Sequence, residues 1–433
     1  MPSIYSPDFK TTPYWWEAAS PESHNGPLPE QVEMLIVGSG FCGMTAAIEL
    51  ARGGVQVLVM DELAIGAGGS TRTGGMVSSG QKLVIGGAVK GVNEAQKARL
   101  LKDSLASFDY LKRFIGEENL DADLNISGRF FGAISQRHYE QLCRDGELLR
   151  SHTGVTVHEI SKARQAEVSA TDFYKGGILI EEYGGLHAGK YHAALRKLAT
   201  SLGVKFASHC RLQKIEDQGP TKRVFTSRGS LTAKTVFIAT NGYTSNATPY
   251  LGSRVIPVRS YQITTEAIPV HLMDEINPRR LMITDSQREV IYTRPSPDGT
   301  RVMFGARPGA FEMSEYEAAP HLHAKMLEIW PQLEGYQVTH CWHGQVGMTF
   351  DKIAHMGEHD GSEHAVGCNG NGVALMTYLG YQYARKHLGK LQEPCAFDNP
   401  NFPGNPLYRG KAWFLPIVSG WYRGLDYLDR RRG

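Results

Sequence analysis

An α/β fold in two interleaved parts is predicted for this sequence, and three observations carry the prediction. The first is "VEMLIVGSGFCGMTAAIELARGGVQVLVMDE" from Val32 to Glu62, which reads strand, glycine turn, helix, strand, acid. The second is length: 433 residues exceed the ~250–300 at which single hydrophobic cores stop growing. The third is a hairpin pattern between Arg288 and Gly309, alternating strand residues around Ser296-Pro297-Asp298-Gly299. Together they predict a Rossmann-type nucleotide-binding domain interleaved with a second domain built on a mainly antiparallel sheet.

The first unit is the most informative. Apart from Glu33, Val32–Val37 is apolar throughout, as in a central parallel strand covered on both faces. Gly38-Ser39-Gly40-Phe41-Cys42-Gly43 follows at once, then Met44, Ala47, Ile48, Leu50 and Ala51 at helical spacing, ended by Gly53-Gly54. Val55–Met60 is a second strand, closed by Asp61. Gly38 permits the turn, Gly40 admits a pyrophosphate to the backbone, and Gly43 lets helix and strand pack closely. The helix start offers N–H groups and partial positive charge to phosphates. Asp61, with Glu62 as its fallback, is placed to accept hydrogen bonds from an unphosphorylated ribose. NAD and FAD both remain open at this point.

"AIGAGGSTRTGGMVSSG" (Ala64–Gly80) follows directly. Here the chain resembles the D-amino-acid-oxidase superfamily of flavoenzymes, in its glycine oxidase, sarcosine oxidase and γ-glutamylputrescine oxidase branch. That branch carries E-x-x-x-I-G-x-G-A-S-x-R-N-G-G, and this sequence departs from it mildly, with Asp61 for Glu and Thr73 for Asn. The resemblance extends through "GGLHAGKYHAALRKLATSLGVKF", "KTVFIATNGYTS", "RVIPVRSYQITTEAI" and "WHGQVGMTFDKIAHMGEHDGSEHAVGCNGNGVALMTYLGYQYARKHLG". It implies noncovalent FAD held by Gly38–Gly43, Asp61 or Glu62, and the loop residues Gly69, Ser70, Thr71, Arg72, Gly74, Gly75 and Met76. It adds Leu212 at the adenine, Thr240, Asn241 and Gly242 near the pyrophosphate, and Gly344. Gly370, Asn371, Gly372 and Val373 would meet the flavin pyrimidine at the N-terminus of the helix Val373–Leu388, where a helix dipole favours negative charge.

The chemistry implied is oxidation of a C–N bond. Hydride from the carbon beside a neutral amine passes to the flavin, and the imine hydrolyses. Such a reaction needs alignment and exclusion of water more than a dedicated base. Two substrate anchors of relatives are missing: Val346 stands where glycine oxidases have an arginine, and Ala374 where sarcosine oxidases have a lysine. Met303 stands in place of an oxygen-activating lysine. The position of the covalent flavin cysteine falls near Gly344, with Cys341 displaced from it. Arg72, Arg259 and Arg307, with Arg294 beside them, are the candidates for binding a substrate carboxylate. Tyr261, Tyr292, His343 and Lys352 are the catalytic candidates.

The expected substrate is a secondary amine or amino acid: an N-carboxymethyl amine such as iminodiacetate or sarcosine, or γ-glutamylputrescine. Dioxygen is the expected acceptor, with peroxide released. The alternatives are a dehydrogenase or an electron-transfer subunit delivering electrons to a quinone or a partner protein. A flavin hydroxylase, which also opens with GxGxxG, would need NAD(P)H.

Net charge is only +2, so composition gives no electrostatic reason to expect nucleic acid. Six cysteines are scattered without a C-x-x-C pair, so neither a metal site nor a disulfide framework is expected, and a cytoplasmic location is. No signal-peptide core and no ~18-residue apolar run occurs. The FAD domain is expected to collect 30–90, 150–250 and 340–395, the substrate domain 91–149 and 251–339, leaving an aromatic, basic segment at 396–433. About 30 N-terminal residues show no periodicity. Val92–Phe114 is an amphipathic helix expected to cover the substrate sheet. Pro416 and Gly420 are expected to interrupt any long helix near the C-terminus. Packing of that segment on the body of the protein is favoured over contact with a membrane surface.

Overall fold

A computed structural model describes residues 3–85, 89, 92–309, 311–410 and 412–431. The chain starts with β1 (Tyr5–Lys10), then β2 (Gln31–Val37), α1 (Phe41–Arg52) and β3 (Val57–Met60). After β4 (Met76–Val77) and α2 (Gln81–Val84) come α3 (Glu94–Glu117), β5 (Arg129–Gly132) and α4 (Gln136–Thr153). Next are β6 (Val157–Ser161), β7 (Gly176–Ile180), β8 (Gly184–Gly185) and α5 (Ala188–Ser201). β9 (Lys205–Ala207), β10 (Leu212–Asp217), β11 (Lys222–Thr226) and β12 (Gly229–Ile238) follow. Then come α6 (Pro249–Gly252), β13 (Val255–Thr265), α7 (Val270–Ile276), β14 (Met282–Asp285), β15 (Tyr292–Pro295) and β16 (Val302–Ala306). The last part holds α8 (Glu315–Ile329), β17 (Val338–Thr349), β18 (His355–His359), β19 (Ser362–Val366), α9 (Gly372–His387) and α10 (Leu415–Arg431).

Among the described residues these strands form two large sheets. In the eight-stranded one, β2 runs parallel to β3 and β12, and β3 parallel to β9. The second has nine strands in the order β1-β17-β13-β16-β15-β14-β5-β7-β6, antiparallel except at β1/β17 and β14/β5. The α1 helix lies between β3, α5 and α9, so nearly every side it has is buried. That is why its sequence is apolar all round instead of amphipathic.

Four features differ from the sequence reading. The N-terminal stretch is ordered: β1 extends the nine-stranded sheet, and Trp15 is fully buried with Nε1 donating to Thr73 O at 2.8 Å. The domain boundaries differ too. β6 and β7, expected in the FAD domain, and β17, expected there from residue 340, belong to the nine-stranded sheet. α3 covers less of that sheet than expected, because its main neighbour is α9. Finally, α10 runs unbroken through Pro416 and Gly420. Pro416 is its second residue, where no intrahelical N–H is needed.

Candidate active site

The carboxyl ends of the parallel strands come level, with Val37 paired to both Met60 and Ile238. Ligands of open α/β sheets bind at such an edge. Gly38 follows β2 with φ +108°, and a Cβ there would lie 2.7 Å from Ala239 O. A Cβ on Gly43 would lie 2.0 Å from Gly38 O, so only paired glycines let α1 close on the strand end. Gly40 before α1 offers no side-chain cap, Ser70 Oγ accepts from Phe41 N at 2.9 Å, and the next amides of the first turn are left available to a ligand.

A cavity of about 840 Å³ opens at this edge and reaches the nine-stranded sheet. Its walls include Gly38, Gly40, Phe41, Cys42, Asp61, Glu62 and Leu212 from the parallel sheet and its turns. Gly69, Ser70, Arg72, Gly74 and Met76 line it, as do Thr240, Asn241 and Gly242. The start of α9 contributes Gly370, Asn371, Gly372 and Val373, and this helix also lacks a side-chain cap. Gly344, Val346 and Lys352 lie on the wall formed by β17 and its following turn. Leu415, Val418, Ser419 and Tyr422 of α10 cover part of the opening.

Four of the expected cofactor residues do not line the cavity, and each has another task. Ser39 Oγ donates to Asp61 Oδ2 at 2.7 Å and accepts from Gly66 N at 3.0 Å. Gly43 packs on Gly38. Thr71 Oγ1 donates to Gly66 O and accepts from Trp16 Nε1. Gly75, at φ +68°, packs against Leu186 O. Asn241, although on the wall, spends its side-chain oxygen on the amides of Gly367 and Cys368. The half-buried Asp61 also accepts from Leu63 N at 2.9 Å, and desolvation raises its carboxyl above the ordinary value. His192 lies under the same turn, its Nε2–H donating to Ser39 O at 2.7 Å, and burial lowers it to about 4.

The catalytic candidates separate. Tyr292 lines the cavity with its hydroxyl 2.9 Å from Ser260 Oγ, and burial raises the phenol to about 12. A Cβ on Gly305 would lie 2.2 Å from the Tyr292 ring, so that glycine makes room for it. Lys352 is exposed at the cavity edge, at φ +60°. Tyr261 and His343 do not reach the cavity, contrary to expectation. Tyr261 bonds the backbone of Met313, and His343 Nδ1 bonds Glu315.

The arginines separate too. Arg72 lines the cavity but bonds carbonyls, Nε to Ala67 at 2.8 Å and Nη1 to His343 at 3.0 Å. Arg294 lies off the cavity and donates to the carbonyls of Leu186 and Gly75. Arg259 lines the cavity and pairs with Glu312 at 2.9 Å. Arg307 lines it beside Glu289, and burial lowers its guanidinium. Among the wall residues that sequence reasoning missed are Arg129 on β5, Gln262 on β13 and Thr284 on β14. Their local sequences read only as strand, and the cavity becomes visible once the strands are assembled.

Open amides in the first turns of α1 and α9, glycine backbone at the strand ends and the half-buried Asp61 carboxylate form a cradle that fits a dinucleotide. Among the described residues no metal-ligating cluster occurs and no helix is long and apolar enough to cross a membrane.

The family described as FAD dependent oxidoreductase matches residues 33–386. A probable oxidoreductase, OrdL, of Rhizobium meliloti is 30% identical, over 94% of this chain and 96% of its own. Gamma-glutamylputrescine oxidoreductase of Escherichia coli is 24% identical, over 94% of this chain and 96% of its own. The solved structure of glycine oxidase from Geobacillus kaustophilus superposes with a TM-score of 0.73 at 21% identity, covering 87% of this chain and 99% of that one. The chain therefore belongs to the DAO family of FAD-dependent oxidoreductases.

Proposed function

We propose that this chain oxidises the C–N bond of a secondary amine or amino acid, releasing a carbonyl compound after imine hydrolysis, with dioxygen as the final acceptor. FAD, when bound, supplies the two-electron acceptor for the carbon beside the amine nitrogen. The observation that carries the reading is the single cavity shared by the parallel-sheet edge and the nine-stranded sheet. One region of it suits a dinucleotide, and the adjoining region holds Tyr292, Gln262 and Arg129 for a small polar substrate.

The chain's own residues have assignable tasks. Main-chain amides of Gly40 and Cys42, with Ser70 and Thr240, would hold the pyrophosphate. Asp61 takes the ribose, and Leu212 lies at the adenine. The start of α9 faces the ring system, where its amides favour developing negative charge. The cofactor is noncovalent: Cys341 is buried off the cavity and burial pushes its thiol well up. Tyr292 stays protonated at neutral pH and can donate to the substrate. α10 and the 288–290 segment exclude bulk water.

The test is anaerobic mixing of the purified flavoprotein with N-methyl, N-carboxymethyl and glutamylated amines, followed by admission of air. Loss of flavin absorbance with an amine, then peroxide in air, supports the reading. Rapid reduction by NADPH, or by no amine, contradicts it. A dehydrogenase is the second reading, favoured by Met303, which is buried off the cavity where relatives carry a lysine. Reduction of a dye with no oxygen uptake would establish it.

A further inference from the structure

The wall of the cavity holds a buried cation that no carboxylate among the described residues faces. Arg129, the first residue of β5, is 7% exposed and lines the cavity. Its Nε donates to Thr284 Oγ1 at 3.2 Å and its Nη1 to Ser78 Oγ at 3.3 Å, both long bonds to neutral hydroxyls. The guanidinium also lies over its neighbour Phe131, 4.9 Å from the ring centre. Among the described residues no carboxylate stands within ion-pair distance of it, and Nη2 has no hydrogen-bond partner.

Other arginines of the cavity are already engaged. Arg259 has Glu312, Arg288 has Asp426 and Asp429, and Arg72 has two carbonyls. A buried charge without a counter-charge is costly, because its lost hydration has no Coulombic return. Burial lowers the guanidinium only to about 10, so it remains charged at neutral pH. A protein keeps such a group when a ligand completes the pair. A carboxylate does so best, because two parallel N–H···O bonds match the guanidinium fork. Thr284 and Ser78 each accept from Arg129 through oxygen, and the Thr284 O–H is left to donate to the same carboxylate. The Ser78 O–H is already committed, donating to Asn371 Oδ1 at 3.1 Å, and it links this site to the start of α9.

We propose that Arg129 is the carboxylate anchor of the substrate site, and that the substrate is accordingly a carboxylate-bearing amine. The inference rests on the amine-oxidation reading above and assigns to β5 the task that Val346 and Ala374 cannot perform.

The test uses the FAD-loaded protein and small carboxylates that cannot be oxidised, acetate and 2-furoate, titrated by calorimetry. Wild type, Arg129→Met, Arg129→Lys and Thr284→Val are compared, with FAD content and melting temperature recorded for each. Arg129→Met should lose about 30- to 100-fold in carboxylate affinity while retaining FAD. Arg129→Lys should fall between the two, and Thr284→Val should lose about 3- to 10-fold. If Arg129→Met does not fold, the other two variants decide. Wild-type affinity in both of them, or no carboxylate binding by wild type, overturns the proposal. Failure of every amine to reduce the flavin overturns the amine-oxidation reading instead, and leaves the calorimetric result standing on its own.

Discussion

Asp61 accepts two hydrogen bonds from Ser39, one from its backbone N–H at 2.8 Å and one from its hydroxyl at 2.7 Å. The carboxylate is thus oriented by the turn whose neighbours line the cavity, while Ser39 itself stays behind the wall. Removing the hydroxyl should loosen the carboxylate without removing it. Ser39→Ala is expected to weaken FAD binding about 3- to 10-fold and Asp61→Ala by more, as measured by fluorescence titration of apoprotein. Equal affinities in both variants and wild type would contradict the ribose assignment.

His192 carries the pH dependence of the same turn. Its folded value is about 4 against an ordinary 6.5, with burial as the cause. A depressed base is neutral in the fold while the unfolded chain takes up a proton, so stability falls as pH drops from about 6.5 to about 4. The full loss is about 3 kcal/mol. Because Nε2–H already donates to Ser39 O, the added proton falls on the buried Nδ1 beside Gly66, and acid that reaches about 4 should open this turn and release FAD. His192→Gln keeps a donor without the titration and should move FAD release to lower pH, read as flavin fluorescence. Identical release curves would contradict this.

Tyr292 differs from the two other ring residues considered for the site. Tyr292→Phe removes a protonated hydroxyl from the cavity, and flavin reduction should slow about 10- to 100-fold with FAD content unchanged. Tyr261→Phe and His343→Gln act away from the cavity. They should leave the reduction rate within about 3-fold and act on thermal stability, since Tyr261 loses two hydrogen bonds and His343 one, at about 1 kcal/mol each. Stopped-flow reduction with the best amine separates the two outcomes.

Two helical glycines make opposite predictions. A Cβ on Gly380 of α9 would lie 2.2 Å from Cys42 O, so the helix meets α1 backbone to backbone. Gly380→Val should prevent folding or lose more than about 3 kcal/mol, because the two helices would have to separate. Gly424 of α10 has nothing within 4 Å of such a Cβ. Gly424→Ala should stabilise by about 0.5–1 kcal/mol. Thermal unfolding checks both.

The parts legible in the sequence are those whose signal is local. Val32–Asp61 announces itself because two buried strands, a glycine turn and a helix are contiguous, and β15–β16 because its turn lies between its strands. β1 was not legible: "YSPDFK" is an edge strand that alternates weakly, and its partner Val338–Thr349 lies at the other end of the chain. β6 and β7 fall in the stretch 150–250 expected in the FAD domain, and their place in the nine-stranded sheet was not legible, since sheet membership depends on partners and not on the strand's own residues. α10 was hidden by Pro416, which is harmless in a first turn. Tyr261 and His343 lie on paired strands, at Tyr261↔His343, yet strand alternation and the bonds to Met313 and Glu315 turn them from the cavity. Arg129 was invisible because a charge in "RFFG" acquires meaning only beside Thr284, Ser78 and an empty wall.

The central claim is that backbone at the parallel-sheet edge and at the start of α9 holds one FAD per chain in the cavity that also takes the substrate. Titration of FAD into apoprotein, for wild type and Gly40→Val, tests it most directly. The account predicts uptake of one FAD per wild-type chain and loss of uptake in a folded Gly40→Val, whose added side chain stands in the approach to α1. Colourless wild-type protein that takes up no FAD, or unchanged uptake by the variant, would contradict it.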